Sequence, residues 1–166
     1  MKVAGSNIFG TNYRGGTYGY TRTYDDGSAK KHGGLDIKAD IGTPVFAIYG
    51  GIVTKTVFSL PTDEHGIGYG NQIRIKSIIN GIELEFLYAH LESGNAININ
   101  PRTLKKFKFG DYVFRGELIG YTGRSGNAYD DEDVPNKHLH LGIKIEETWV
   151  DPILYLNGEI INIKCD

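Results

Sequence analysis

Short stretches in which apolar and polar residues alternate, separated by glycine-rich turns, dominate the chain, and a period of two is typical of half-buried β-strands. Such stretches predict strands at residues 44–48, 51–58, 112–114 and 139–145. Only two short helices are expected, at residues 101–106 and at residues 151–156, where an Asp-Pro pair supplies a helix cap. The pattern therefore predicts a mainly β protein.

The clearest local signal is Asn80-Gly81, a pair that favours a type I′ hairpin turn. Pairing the chain across this turn matches Ile79 with Ile82, and each step outward then fixes the register of the two strands. The register puts Lys76 opposite Glu85. This cross-strand pair of opposite charges supports the predicted hairpin independently of the turn.

The apolar face of this hairpin is predicted to end in two polar residues, Asn71 on the first strand and His90 on the second. Without a bulge, the two side chains face the core side by side. An extra residue between positions 82 and 90 would turn His90 to the other face of the sheet.

With 166 residues, the chain is long enough for a single domain whose core needs no disulfide bonds. Its first 25 residues, which contain many tyrosines and glycines, are expected to be loosely ordered. The net charge of −2 leaves no basic surface for nucleic acid. No apolar stretch is long enough for a membrane span or, at the start of the chain, for a secretory signal. The only cysteine is Cys165, so a metal ion would need histidine and carboxylate ligands.

Four of the five histidines fall in patterns that suit a metal site. His32 and Asp36 lie on either side of two glycines, which disfavour a helix and allow a bent backbone to bring both side chains to one ion. His138 and His140 alternate with leucines, so both imidazoles lie on one face of a strand. His90 at the end of the hairpin completes the set.

Two neutral imidazoles and one carboxylate around a zinc ion leave a fourth position for water, whose pKa then falls to about 7. A nearby imidazole can accept the proton of this water and return it to a leaving amine, as amide hydrolysis requires. One histidine of the pair His138 and His140 could bind the metal while its neighbour reaches over the substrate. The remaining histidine, His65, lies in a glycine-rich loop and is assigned to the surface.

Several short motifs follow one another between residues 28 and 156. They are His32-Gly-Gly-Leu-Asp36, Gly42-Thr-Pro-Val-Phe-Ala47, Gly50-Gly-Ile-Val53, Gly68-Tyr-Gly-Asn71, Tyr88-Ala-His90-Leu91, Gly110-Asp111, Gly120-Tyr-Thr-Gly123, His138-Leu-His140 and Val150-Asp-Pro152. In this order they resemble the lysostaphin and LytM-type zinc metallopeptidases, which cleave peptide cross-links of bacterial peptidoglycan. The resemblance implies that residues 28–156 form the metallopeptidase core, with antiparallel sheets around a groove and one zinc ion at its floor.

By this resemblance, His32, Asp36 and His140 are the ligands of the zinc ion. His90 and His138 are then the catalytic histidines, which transfer protons and polarise the scissile carbonyl.

Two further residues are candidates for the site. Members of the family tend to use a tyrosine upstream of the first ligand to stabilise the developing oxyanion. Tyr24 is the nearest such residue, with Tyr18 and Tyr20 as competitors. The hairpin register, rather than the resemblance, suggests that Asn71 orients His90 or the substrate.

The resemblance implies a zinc-dependent endopeptidase that hydrolyses peptidoglycan cross-links in the periplasm or the extracellular cell wall. The alternative is a non-catalytic module that binds the wall or activates an amidase, although relatives of that kind lack ligands that this chain retains. We expect a monomer whose partner is the peptide substrate, and an inhibitor or immunity protein only if the chain is a delivered toxin. The long segments 92–109 and 124–137 are expected to border the groove and set substrate preference, with the direct cross-link favoured over a glycine bridge.

Overall fold

The computed structural model describes residues 16–60, 68–93, 98–128 and 137–156. Within these ranges the chain forms thirteen short strands and one turn of helix. In chain order the elements are β1 Gly19–Thr23, β2 Ala29–His32, β3 Leu35–Lys38, β4 Pro44–Phe46, β5 Gly51–Val57, β6 Asn71–Ile79, β7 Ile82–Leu91, β8 Ile99–Asn100, β9 Lys105–Lys106, β10 Tyr112–Val113, β11 Leu118–Tyr121, β12 His138–Ile145, β13 Thr148–Val150 and α1 Pro152–Leu154. The predicted mainly β fold is confirmed.

The main sheet is antiparallel and has the strand order β10-β5-β6-β7-β12-β13, with β3 paired to β12 on the same side as β13. One row of core residues crosses five of its strands. This row consists of Val53, Ile75, Phe86, Ile143 and Val150. Because side chains alternate along a strand, the neighbouring residues of β7 and β12 point to the opposite face, where the cleft described below lies.

The predicted strands are confirmed, and of the two predicted helices one is present. Residues 101–106 form a turn and β9 instead of a helix. The backbone N–H groups of Thr103 and Leu104 both donate to the carbonyl of Asn100, while the Asn100 side chain accepts from Arg102. Such local side-chain bonding competes with helix formation. At the other site Asp151 caps α1 as predicted, but the helix is only one turn long.

The predicted register of the hairpin is confirmed as far as the pair Ile73 and Tyr88. From there to the next pair, Asn71 and Leu91, β6 advances by two residues and β7 by three. The extra residue is a bulge that includes His90, whose φ is 57°. The bulge turns His90 away from the core, so the prediction that Asn71 and His90 lie opposite each other is wrong.

Two glycine-containing turns interlock beside this bulge. Gly70 has a φ of 58°, and a Cβ atom there would lie 2.4 Å from the carbonyl carbon of Ser125. Conversely, a Cβ atom on Gly126 would lie 2.4 Å from the nitrogen of Gly70. The N–H of Asn127 also donates to the carbonyl of Gly68 over 3.0 Å. Residues 68–70 and 125–127 therefore hold each other at a distance that only glycine permits at positions 70 and 126.

Strands β1 and β2 form a separate two-stranded ribbon in which Arg22 lies opposite Lys30. Of the N-terminal segment predicted to be loosely ordered, residues 1–15 lie outside the described part, whereas residues 19–23 form β1 of this ribbon. His65, Cys165 and the acidic residues 130–133 also lie outside it. No helix among the described residues is long and apolar enough to cross a membrane.

We expect Gly70→Ala to lower the free energy of unfolding by about 2–5 kcal/mol, because backbone overpacking adds to the strain of a left-handed residue. Gly68→Ala is the matched control, since Gly68 has a similar φ of 67° but no atom within 4 Å of an added Cβ. Gly68→Ala should lower the free energy of unfolding by only about 1–2 kcal/mol. Urea unfolding of both variants checks the prediction, and equal losses would contradict the interlocked arrangement.

Candidate metal centre

A cleft of about 370 Å³ opens on the face of the main sheet opposite the core row. It gathers residues from the ribbon, from β3, from the turn before β6 and from the ends of β7 and β12. The cleft is lined by Gly16, Arg22, Lys30, Lys31, His32, Gly33, Asp36, Gly68, Tyr69, His90, Asn127, His138 and His140. All four histidines and the aspartate that the sequence predicted are therefore brought together.

The pairing of β3 with β12 brings two of these side chains into contact, because it puts Asp36 directly opposite His140. The chain just before β3 passes so close to β12 that position 34 requires a glycine. A Cβ atom on Gly34 would lie 2.5 Å from the carbonyl oxygen of Leu141 and 2.7 Å from Nε2 of His140. His32 is the last residue of β2, just before the two glycines, and its side chain therefore lies beside Asp36 and His140.

Three donor atoms converge in this cluster. Nε2 of His32 lies 3.1 Å from Nδ1 of His140 and 3.2 Å from Oδ1 of Asp36, and Nδ1 of His140 lies 2.9 Å from the same oxygen. Donors about 2.0 Å from a tetrahedral zinc ion are separated by about 3.3 Å. The cluster thus has the donor types and the spacing to hold one metal ion.

The hydrogen bonds of the two imidazoles fit metal binding. Nδ1 of His32 lies 2.9 Å from the carbonyl oxygen of Thr17 and must donate to it, which leaves a lone pair on Nε2. Metal-binding histidines are commonly held in this way by a carbonyl on their other nitrogen. Nδ1 of His140 faces Asp36, while its Nε2 is buried with no hydrogen-bond partner among the described residues.

The charge of the buried carboxylate is stabilised from two sides. Burial by itself raises the pKa of Asp36, but the close contacts with His140 and His32, together with nearby His138, outweigh it and hold the pKa well below its usual range. The guanidinium of Arg22 binds the other carboxylate oxygen, Oδ2. Arg22 therefore leaves Oδ1 directed at the imidazoles.

His90 and His138 lie next to the three donors. Their ring centroids are 4.8 Å apart, and Nε2 of His138 lies 3.5 Å from Oδ1 of Asp36. Nδ1 of His90 donates to the carbonyl of Ser125 over 2.7 Å, so its Nε2 carries the free lone pair. Burial, with the neighbouring His138 and His140, lowers the pKa of His90 to about 3, so this imidazole is neutral at pH 7.

The left-handed backbone of His90 is held in place by its hydrogen bonds. Its N–H donates to the carbonyl of Tyr69 over 3.0 Å, and its carbonyl accepts from Gly123 over 2.9 Å. Such bonds offset a conformation that is unfavourable for a residue with a side chain.

Two of the residues predicted for the site lie elsewhere. Tyr24 is in the turn between β1 and β2, where its side chain is 53% exposed and its ring contacts Lys30. The side chain of Asn71 forms hydrogen bonds with both backbone polar groups of Leu60, at 3.0 and 2.8 Å, rather than with His90. The carbonyl of Ser125 has the orienting role that the sequence suggested for Asn71.

Sequence reasoning missed Arg22 and Tyr69. Arg22 alternates along β1 with exposed residues and gives no local sign that it reaches Asp36. Tyr69 lies between two glycines in a motif that was recognised only as part of the family pattern. The ring of Tyr69 lies 5.2 Å from that of His140, and this contact is visible only in three dimensions.

The model of peptidase family M23 matches residues 30–152. The match spans more than half of the chain, so the protein belongs to peptidase family M23. The resemblance inferred from the sequence motifs is confirmed.

Two curated relatives are similar in sequence. Lysostaphin of Staphylococcus simulans is 33% identical over 151 residues, which make up 89% of this chain and 25% of lysostaphin. The DD-carboxypeptidase/endopeptidase Mpg of Neisseria meningitidis serogroup B is 32% identical over 122 residues, 74% of this chain and 22% of Mpg. The chain thus spans no more than a quarter of the length of these relatives.

A solved structure with a similar fold is the catalytic domain of the antimicrobial peptidase lysostaphin from Staphylococcus simulans. It matches with a TM-score of 0.58 and 30% sequence identity, over 86% of this chain and 89% of that domain. The likeness extends over nearly the whole of that catalytic domain.

We expect the metal-free protein to lose stability as the pH falls from 6.5 towards 3. The pKa of His90 is about 3 when folded and about 6.5 when unfolded, so only the unfolded state takes up this proton between those values. The free energy of unfolding should fall by up to about 1.4 kcal/mol per pH unit. The free energy of unfolding can be measured by urea denaturation in the presence of a chelator at several pH values across this range. Its dependence on pH should be weaker for His90→Gln than for the wild type. Identical slopes would argue against a buried neutral His90.

Proposed function

We propose that this protein is a zinc-dependent endopeptidase that hydrolyses peptide cross-links of bacterial peptidoglycan. The observation that carries this proposal is the convergence of His32, Asp36 and His140 within 3.2 Å of one another, next to two further buried histidines. Membership of peptidase family M23 and similarity to lysostaphin and Mpg support it. The periplasm or the extracellular cell wall is then the place of action, and we infer a monomer.

The ion would be held by Nε2 of His32, Oδ1 of Asp36 and Nδ1 of His140. When bound there, zinc supplies a water molecule of lowered pKa and a positive charge near the scissile carbonyl. Arg22 and the carbonyl of Thr17 orient two of these ligands from behind, through Oδ2 of Asp36 and Nδ1 of His32. Such outer contacts typically affect metal affinity by about 10–100-fold.

His90 and His138 are the groups that would handle protons. Because Nδ1 of His90 donates to Ser125, its Nε2 can accept a proton from the attacking water and return it to the leaving amine. His138 lies beside both His90 and Asp36, and we assign its ring to the scissile carbonyl. Both rings are buried, which fixes their orientation relative to the donor cluster.

The charge of the cleft favours a substrate that carries carboxylates. Arg22, Lys30 and Lys31 line the cleft beside the donor cluster, and Arg22 and Lys30 lie directly opposite each other on the ribbon. Like charges directly opposite each other repel, and an anion beside them relieves this repulsion. Asp36 offsets Arg22, and a carboxylate of a directly cross-linked stem peptide would offset Lys30. A glycine bridge offers no such group, so we infer that the direct cross-link is the preferred substrate.

We expect the protein to release cross-link fragments from directly cross-linked peptidoglycan and to act more slowly on glycine-bridged peptidoglycan. Mass spectrometry of both digests, with and without a zinc chelator, measures the products. Cleavage that persists in chelator would overturn the metal-dependent mechanism. Zinc bound at one equivalent without cleavage of either wall would instead favour the alternative, a module that binds the wall or activates an amidase.

We further expect His140→Ala to lose both zinc and hydrolysis, because it removes one of the three donors. His90→Ala and His138→Ala should retain zinc but reduce turnover by at least about 100-fold, since they remove the group that transfers the proton and the group that holds the scissile carbonyl. Metal analysis after dialysis, run beside the digestion assay, separates the two classes of variant. Zinc retained at full occupancy in His140→Ala would show that the ligand assignment is wrong.

A further inference from the structure

The two carboxylate oxygens of Asp36 have different partners. Oδ1 lies 2.9 Å from Nδ1 of His140 and 3.2 Å from Nε2 of His32, and Nε2 of His138 is 3.5 Å away. Oδ2 is bound by the guanidinium of Arg22. The side chain of Asp36 is only 5% exposed, so water has little access to either oxygen. Oδ1 therefore faces the candidate ligands, and Oδ2 faces the arginine.

The ribbon that carries Arg22 is anchored beside this carboxylate by hydrogen bonds to its first residues. The N–H of Asp36 donates to the carbonyl of Gly16 over 2.8 Å. Nδ1 of His32 donates to the carbonyl of Thr17 over 2.9 Å. Because residues 16–17 lead into β1, these bonds hold the strand of Arg22 next to the oxygen that its guanidinium binds.

The contact of Arg22 with Oδ2 bears on how many positions around a metal ion the protein fills. A carboxylate can bind a metal ion through one oxygen or through both. Through one oxygen, Asp36 and two imidazoles supply three ligand atoms and leave the position for water that catalytic zinc sites keep open. Through both oxygens, the same three residues would fill four positions. A guanidinium is always charged and binds carboxylates strongly, so an oxygen that it occupies is withheld from the ion.

We propose that Arg22 restricts Asp36 to binding the metal ion through Oδ1 alone and so keeps open the position at which water binds. Arg22 is then a positioning residue that acts through Asp36. This inference rests on the proposed zinc site and adds to it the number of atoms through which the carboxylate binds. The competing interpretation is that the pair of Arg22 and Asp36 serves only to attach the ribbon to the main sheet.

Cobalt(II) in place of zinc distinguishes the two, because its visible absorption is strong in four-coordinate sites and weak at higher coordination numbers. We expect Arg22→Gln, fully loaded with cobalt, to lose several-fold in molar absorptivity, since Oδ2 becomes free to bind the ion. Lys30→Gln is the matched control for the lost charge. Lys30 lies directly opposite Arg22 on the ribbon, but its ammonium lies over the ring of Tyr24, 5.2 Å from the centroid. This control should keep the wild-type spectrum.

A second variant and a second measurement make the test sharper. Arg22→Lys retains a charged donor for Oδ2 and should restore most of the absorption that Arg22→Gln loses. X-ray absorption of the zinc-loaded proteins should show one more oxygen ligand in Arg22→Gln than in the wild type. Outer contacts of this kind change metal affinity by about 10–100-fold, so an excess of metal still fills the site of each variant.

The possible results separate this inference from the proposed function. Unchanged absorption in Arg22→Gln, an equal loss in Lys30→Gln, or no recovery in Arg22→Lys overturns the role of Arg22. Loss of the metal or of the fold in Arg22→Gln also overturns it, in favour of a purely structural pair. A wild type that binds no metal overturns both proposals. A wild type that binds cobalt but cleaves no peptidoglycan contradicts the proposed function alone, because the spectra do not depend on hydrolysis.

Discussion

The cleft depends on one strand pairing, that of β3 with β12, which puts Asp36 opposite His140. This register brings Oδ1 of Asp36 within 2.9 Å of Nδ1 of His140, although the two residues are 104 positions apart in the sequence. The pairing in turn requires Gly34, because any side chain there would collide with the backbone of Leu141. The cluster of candidate metal ligands thus depends on how closely the backbones of β3 and β12 approach each other.

This arrangement buries a carboxylate and four imidazoles, which is unfavourable unless each is supplied with partners. The backbone provides much of that compensation. Carbonyls of Thr17 and Ser125 accept from His32 and His90, and Arg22 neutralises the carboxylate from outside. These partners also fix the tautomers of two imidazole rings. The contacts that stabilise the fold therefore also orient the side chains of the candidate site.

Much of the fold and of the candidate site could be predicted from the sequence, because the alternation of apolar and polar residues and the turn residues are local signals. They identified β12, the hairpin register up to Ile73 and the ligand candidates. The bulge at His90 was invisible because one extra residue leaves the pattern of the flanking strand unchanged. The positions of Asn71 and Tyr24, away from the donor cluster, could not be predicted for a related reason. Distance along the chain does not reveal which turn folds back onto the cleft, and that turn carries Tyr69.

The interlocked glycines also bear on how this protein could change its substrate range. Residues 125–127 are fastened to residues 68–70, and the carbonyl of Ser125 in turn holds the ring of His90. The segment between Asn127 and β12 can therefore be shortened, lengthened or exchanged by design without releasing that ring. The fastening separates a side chain that must stay fixed from a neighbouring stretch of sequence in which new specificity can be engineered.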